Sequence, residues 1–259
     1  MSNAAHLRFF NALNDNGAVR LYVGGHLYES GGDASIENGD SPQYGNVPSG
    51  TVSLIVNKYS DQNTGTNSST LASLTSQTLL QDRNYTAVAL LSGTTKSLVL
   101  YADNVAITDN IAYFRIINAN NTTTPLYIDV VDKATGSSVY STSSTTGFAS
   151  GATTGLQQNY YGDTSGVDSE DVTIHVYSDS AMTNEIATQT VGLSVGKVVT
   201  TFIYNKKSGS GLSFRSSTDQ DTNVTATTTS TTGTAGDTAG TAGDTSGTTA
   251  SSTAGTTAL

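Results

Sequence analysis

The chain has 259 residues with no cysteine and no tryptophan, and its net charge of −10 leaves only 11 basic residues. The absence of cysteine excludes a disulfide framework, thiol catalysis and thiolate metal sites. With no basic run beyond Lys206-Lys207, the chain lacks the clustered cations that a nucleic-acid backbone or an anionic membrane surface needs, and no stretch approaches the ~20 apolar residues of a membrane helix.

In chain order, Met1-Ser2-Asn3-Ala4-Ala5-His6 has neither the charged start nor the apolar run of a secretion signal. Two origins fit: Ser2-Asn3-Ala4 as a cloning remnant where a signal was removed, or a native start made without one. Residues 1–6 read as a flexible arm. Beyond them the pattern has period two. Leu7, Phe9 and Asn11 share one face of an opening strand, and Arg8 and Phe10 share the other. Val19, Leu21 and Val23 alternate with Arg20 and Tyr22, and Val52, Leu54 and Val56 alternate with Ser53 and Ile55. Residues 70–81 are the best helix candidate, but their Ser and Thr content reads equally well as a strand. Residues 85–91 and 97–101 are further runs, parted by Gly93-Thr94-Thr95. Such alternation between Gly, Asn and Asp punctuation predicts half-buried strands throughout.

The chain also repeats itself. Arg8-Phe9-Phe10-Asn11-Ala12 returns as Arg115-Ile116-Ile117-Asn118-Ala119, and Leu21-Tyr22-Val23 as Leu126-Tyr127-Ile128. Val52-Ser53-Leu54-Ile55-Val56 returns as Val172-Thr173-Ile174-His175-Val176, and Gln77-Thr78-Leu79 as Gln189-Thr190-Val191. Residues 85–91 with 98–100 match 198–204 with 212–214. Several matches in one order define two copies of ~105 residues, the size of a sandwich domain. The predicted fold is all-β: two tandem antiparallel Ig-like or transthyretin-like β-sandwiches, 7–109 and 110–217, joined near Asp109-Asn110. A Thr/Gly/Ser/Ala-rich C-terminal tail, 218–259, follows. The tail holds Val224 and Leu259 as its only large apolar residues, too few to offset chain ordering, and is predicted to be disordered. It reads as a solvated flexible tail or as a hydroxyl-rich, O-glycosylated stalk.

Within the repeated opening motif, Asn11 and Asn118 are expected to end the strand by hydrogen-bonding the following loop. Arg8 beside Phe10, and Arg115 beside Ile117, lie on the face turned away from the core. An apolar residue there predicts a covered face, with the neighbouring domain or another subunit as the cover.

At these residues the chain resembles a bacterial family, domain-of-unknown-function family 4397. The resemblance is carried by the opening Arg-hydrophobic-hydrophobic-Asn-Ala strand at Arg8 to Ala12, the Val-Arg-Leu-Tyr-Val strand at Val19 to Val23 with Gly24-Gly25, the Tyr-Thr-Ala-Val-Ala strand at Tyr85 to Ala89, and the closing hairpin at Leu98 to Tyr101. The second copy departs more, with Asp129 facing the place of Gly24 and Val198 that of Tyr85. The resemblance spans residues 6–216. It implies tandem β-sandwich modules on secreted or envelope-associated bacterial proteins and implies no catalytic residues.

Chemistry is sparse. The three histidines, His6, His26 and His175, belong to no nucleophile elbow, zinc helix or phosphate loop, so no enzyme activity, catalytic residue or cofactor is expected. Asp163, Asp168, Glu170 and Asp171, with the Asn14-Asp15-Asn16-Gly17 loop, are weak calcium candidates whose plainer reading is solvated turns. Tyr22, Tyr28, Tyr44, Tyr59, Tyr160 and Tyr161 suit glycan stacking or protein interfaces, or simply edge packing. Lys58, Lys96, Lys133 and Lys197 are candidates for an internal Lys–Asn crosslink, which requires burial beside an acid.

The functional expectation is a non-enzymatic structural subunit of a bacterial extracellular assembly, a filament, an appendage or a cell or spore coat. It is expected to form a homo-oligomer or polymer through its sandwiches, with neither nucleic-acid binding nor membrane insertion. Phe10, Ile117, Tyr22 and Tyr59 are the candidate assembly contacts, residues 1–6 a candidate donated strand and residues 62–69 a further contact. The alternative is a monomeric binding module displayed on the envelope for a glycan or a surface protein. Helices in the body, or a deep cleft gathering ionisable groups, would count against the mechanical reading.

Overall fold

Branched and aromatic residues at alternate positions fold here as strands. The computed structural model describes residues 4–29, 34–40, 43–59, 69–103, 111–142, 145–160, 169–207 and 211–219, and among them it holds sixteen strands and no helix. The first eight are β1 (Ala4–Asn11), β2 (Val19–Val23), β3 (His26–Leu27), β4 (Gly45–Pro48), β5 (Gly50–Lys58), β6 (Thr70–Leu79), β7 (Asn84–Ser92) and β8 (Thr95–Ala102). The rest are β9 (Ile111–Ala119), β10 (Tyr127–Asp132), β11 (Ser138–Ser141), β12 (Gln157–Tyr160), β13 (Ser169–Tyr177), β14 (Glu185–Ser194), β15 (Val198–Asn205) and β16 (Leu212–Asp219).

They form four four-stranded sheets. The first outer sheet has the order β3-β2-β5-β6 and the first inner sheet β4-β1-β7-β8; the second inner sheet is β12-β9-β15-β16 and the second outer sheet β11-β10-β13-β14. All pairs are antiparallel except β1–β7 and β9–β15, where each sandwich sets its opening strand parallel to a late one. The first core lies between the first two sheets, with Leu7, Phe9, Leu21, Leu54 and Leu79 almost fully buried. Ile116, Ile128, Val130, Ile174 and Leu193 form the second. The outer sheets keep the in-out alternation of the sequence: β2 reads buried, half-buried, buried along Val19–Val23. The inner sheets do not. β7 is buried from Tyr85 to Leu91 and β9 along its whole length, because both their faces are covered. Continuous apolar runs are what a strand covered on both sides requires.

Register defines which residues are equivalent, and it moves several of the sequence matches. Arg8 opposes Thr86 as Arg115 opposes Thr200, so Tyr85 corresponds to Val199, one residue beyond Val198. Leu21 opposes Val56 as Ile128 opposes Val176, so Leu21 corresponds to Ile128 and Tyr22 to Asp129. The match of Leu21 to Leu126 is thus two residues out, and Asp129 stands at the place of Tyr22 rather than Gly24. A two-residue slip leaves the inside-outside pattern untouched, so alternation alone does not expose it. The one-residue slip at β15 is silent for another reason: Val198 to Tyr204 are all buried, on either face.

Two boundaries also differ. Residues 4–6 are not a free arm: Ala4, Ala5 and His6 open β1 and pair with Pro48, Val47 and Asn46 of β4. Their backbone is committed within the sheet and is not available for donation. Residues 1–3 lie outside the described residues, as do the join near Asp109-Asn110, residues 62–68 of the expected contact loop, and the tail from residue 220. At its far end β16 continues through Thr218 and Asp219, past the expected end of the body at 217.

Candidate functional site

The two inner sheets turn their second faces to each other. Phe10, Ala12, Val88 and Leu90 of the first meet Ile117, Ala119, Phe202 and Tyr204 of the second in a separate apolar cluster. The Phe10 and Phe202 rings stack at 4.2 Å with an interplanar angle of 12°, and Tyr204 meets Phe10 edge-on at 5.3 Å. A fully buried large apolar side chain contributes about 1.5–3 kcal/mol, so this seam is a substantial bond between the sandwiches. The neighbouring sandwich is therefore the cover predicted over Arg8–Phe10 and Arg115–Ile117. It also corrects the placing of Phe10 and Ile117 among contacts to other molecules: both are fully buried within the chain.

The repeated Asn residues help build this seam. Asn11 Oδ1 accepts from Leu13 N at 3.0 Å, and its Nδ2 donates to Ile36 O at 3.0 Å. Asn118 does the same with Asn120 N at 3.2 Å and Phe148 O at 2.6 Å. Each Asn backbone carbonyl then accepts from a glycine, Gly39 N at 2.9 Å and Gly151 N at 2.7 Å. Both glycines cross to the other sandwich. A Cβ on Gly39 would lie 2.4 Å from the Tyr204 ring and one on Gly151 3.0 Å from Leu90, with φ near +79° and +80°. Only glycine combines that backbone region with that closeness. Arg215 Nε donates to Gly39 O at 2.9 Å and Tyr101 Oη to Gly151 O at 2.7 Å, closing the contact from both sides.

Beside the apolar cluster lies a buried ionic one with the same internal symmetry. Thr86 opposes Tyr101 as Thr200 opposes Ser217, which makes Asp103 and Asp219 equivalent. Each arginine reaches the aspartate of the other sandwich. Arg8 donates through Nη1 to Asp219 Oδ1 at 2.5 Å and through Nη2 to Oδ2 at 3.1 Å; Arg115 Nη1 meets Asp103 Oδ1 at 2.6 Å. Thr86 Oγ1 accepts from Arg8 Nε at 2.6 Å and donates to Asp103 Oδ2 at 2.5 Å. Thr200 Oγ1 accepts from Arg8 Nη2 at 2.8 Å and Arg115 Nη2 at 3.1 Å. Tyr44 completes the group, its hydroxyl donating to Asp103 Oδ2 at 2.8 Å and its ring lying 4.9 Å from the Arg8 guanidinium carbon. Burial pushes the Tyr44 hydroxyl far above the ordinary tyrosine range, and burial likewise raises Tyr101, to about 12. Burial also raises the Asp219 carboxyl, against the downward pull of Arg8. That direction shows how costly the desolvation of this cluster is.

A cleft of about 340 Å³ opens beside the cluster, lined by Tyr101, Asp103, Arg115, Leu156 and Asp219 among others. It is the kind of feature that would weigh against a mechanical role, since it gathers ionisable groups. Here those groups are already matched across the seam, each carboxylate to an arginine. Arg115 Nε and Asp103 Oδ1, both buried, make no hydrogen bond among the described residues, although the Arg115 Nη1 ion pair holds Asp103 Oδ1 at 2.6 Å.

The other expected residues stand apart from the seam. Tyr22 and Tyr59 are half-buried on the first outer sheet, where the Arg20 guanidinium lies 4.4 Å from the Tyr59 ring centroid. Tyr28 is buried, donating to Leu7 O and Gln43 O at 2.7 and 2.8 Å. Asp171 pairs with Lys133 at 3.0 Å, and burial together with neighbouring Asp132 raises Glu170. Asp163, Asp168 and Tyr161 lie outside the described residues. None of the four lysines is buried: Lys58 and Lys133 are exposed, Lys96 and Lys197 intermediate, and Lys96 pairs with Asp15 at 2.6 Å. An internal Lys–Asn bond lacks its buried lysine at these positions.

Sequence reasoning singled out Arg8, Asn11, Arg115 and Asn118 but missed Thr86, Thr200, Asp103 and Asp219. Aligning the closing strands two residues later would have paired the two aspartates.

Comparison with known proteins adds the following. The model of a family described as "Domain of unknown function (DUF4397)" matches residues 5–129, which takes in the first sandwich and the opening strands of the second. No curated protein matches the chain. Among solved structures, a crystal structure of a "putative cell adhesion protein" from Bacteroides uniformis ATCC 8492 is similar over 85% of this chain and 99% of that one, at 10% identity and a TM-score of 0.26. Agreement that loose lends no weight to any reading of function.

Proposed function

We propose that this chain, whose residues 5–129 match the DUF4397 family model, is a non-enzymatic structural subunit of a bacterial surface assembly, polymerising through its sandwiches. One observation carries the reading. The seam locks two sandwiches into a single block with reciprocal Arg8–Asp219 and Arg115–Asp103 pairs and stacked Phe10 and Phe202. Tandem domains joined only by a linker are expected to move against each other, whereas an extensive apolar seam keyed by buried charges makes a stiff rod. This buried ionisable cluster is thus engaged in holding shape, which favours mechanics over chemistry. The hydroxyl-rich composition of residues 218–259 suits a surface location. Electron microscopy of concentrated purified protein tests this: ordered fibres or ribbons are expected, and a monomer at every concentration would overturn it.

The cleft beside Arg115 favours a second reading, a surface-displayed binding module for a glycan or a protein. A glycan array separates the two, since specific hits abolished by altering the cleft residue Leu156 would favour the module.

A further inference from the structure

The inner sheets cover one another, whereas among the described residues no element packs on the outward faces of the two outer sheets, and the chemistry of those faces differs. On the first outer sheet Leu27, Tyr22, Ile55 and Ser73 fall in one row across the strands, and Arg20 follows two residues along β2. Leu27 is 39% exposed. The Arg20 guanidinium is held over Tyr59, and among the described residues its Nε has no hydrogen-bond partner and no carboxylate pairs with it.

The second outer sheet is the complement. Asp129 opposes His175, and Tyr127 opposes Tyr177, which opposes Glu185. The Asp129 carboxylate accepts from Ser138 Oγ at 2.5 Å and meets no cation among the described residues. Among the described residues Glu185 pairs with the His175 ring alone, at 2.7 Å. Beside Glu185, where the register shifts, Ile186 is 45% exposed. Asp129 occupies the position that Tyr22 holds in the first sandwich, so one sheet position carries an aromatic beside Arg20 in one copy and a carboxylate in the other.

We propose that the outward face of the first outer sheet docks on the outward face of the second outer sheet of another copy of this chain. Arg20 then meets the Asp129 and Glu185 carboxylates, while Leu27, Tyr22 and Ile55 cover Tyr127, Tyr177 and Ile186. The inference rests on the self-assembly reading and names its surfaces. The seam inside the chain shows face-to-face sheet packing in this fold, there between the two inner sheets. Tyr and Arg are also the residues enriched at protein contacts. The two faces are unlike and cap opposite ends of the four-sheet stack, so the contact is head to tail. Each docked copy presents a fresh face, and unless the rotation closes into a ring the product is a filament.

Charge reversal tests it. R20E and D129R, each alone, should raise the concentration needed for assembly by about tenfold or more, since like charges then oppose each other across the contact. An equimolar mixture should assemble again, because every junction in an alternating copolymer pairs opposite charges. The double variant should assemble alone. Sedimentation velocity and electron microscopy give the readout, and R20Q and D129N serve if a reversal disturbs folding: both should weaken assembly, and mixing them should not restore it. Wild-type assembly by all of these variants, or no rescue by the R20E and D129R mixture, overturns the docking faces while leaving self-assembly intact. A wild type that never assembles overturns the underlying reading instead.

Discussion

The Arg8 guanidinium of the first sandwich grips the Asp219 carboxylate of the second with two parallel hydrogen bonds, Nη1 to Oδ1 at 2.5 Å and Nη2 to Oδ2 at 3.1 Å. Arg8 is fully buried and Asp219 is 6% exposed. Forked geometry of this kind fixes orientation as well as supplying energy. With its counterpart between Arg115 and Asp103, it specifies which rows of the two inner sheets meet.

Removing one partner strands the other. Arg8→Ala or Asp219→Ala should cost about 3–5 kcal/mol, the penalty for an uncompensated buried charge, read from urea unfolding. Because Asp219 closes β16, a chain ending at Ser217 should lose a similar amount and a chain ending at Val224 almost nothing. Equal stability of the two truncations would refute the role given to Asp219.

Phe10→Ala should cost about 3–5 kcal/mol by emptying a packed site. Phe202→Ala should cost a similar amount, and the double variant should fall short of the sum by about 0.5–1.5 kcal/mol, the worth of a stacked aromatic pair. Strict additivity would show that the rings do not work together.

Alkaline pH should loosen the seam. Burial raises Tyr101 from 10.0 to about 12 and raises Tyr44 further. A tyrosine raised on folding contributes stability that is complete below its unfolded pKa and disappears as pH climbs through its folded one. Unfolding free energy should therefore hold up to about pH 10 and fall between there and 12. Tyr101→Phe should flatten part of that slope, at the expense of the hydrogen bond to Gly151 O, about 0.5–1.5 kcal/mol at neutral pH. An unchanged slope in this variant would exclude Tyr101 as a source.

Some of this was legible from residues alone. Alternation marked Val19 to Val23 and Val52 to Val56 as half-buried strands. An Arg beside Phe10 and Ile117 marked a covered face, and the repeat of Arg-hydrophobic-hydrophobic-Asn-Ala marked two copies. Strand pairing across long separations was not legible. Thr86, Thr200, Asp103 and Asp219 are unremarkable in their own neighbourhoods, and Arg8 lies 211 residues from Asp219. Nor did alternation choose between registers two residues apart, since both bury the same side of a strand.

The amino-acid order by itself thus determined the strand content, the duplication and the presence of a hidden second face, because side-chain periodicity and local turn chemistry are short-range properties. Tertiary structure alone decided that each sandwich covers the other and that the arginines exchange aspartates across the seam, and it placed Arg20 on one outer sheet and Asp129 and Glu185 on the other. Those outcomes depend on which sheet faces meet, and no local pattern encodes that.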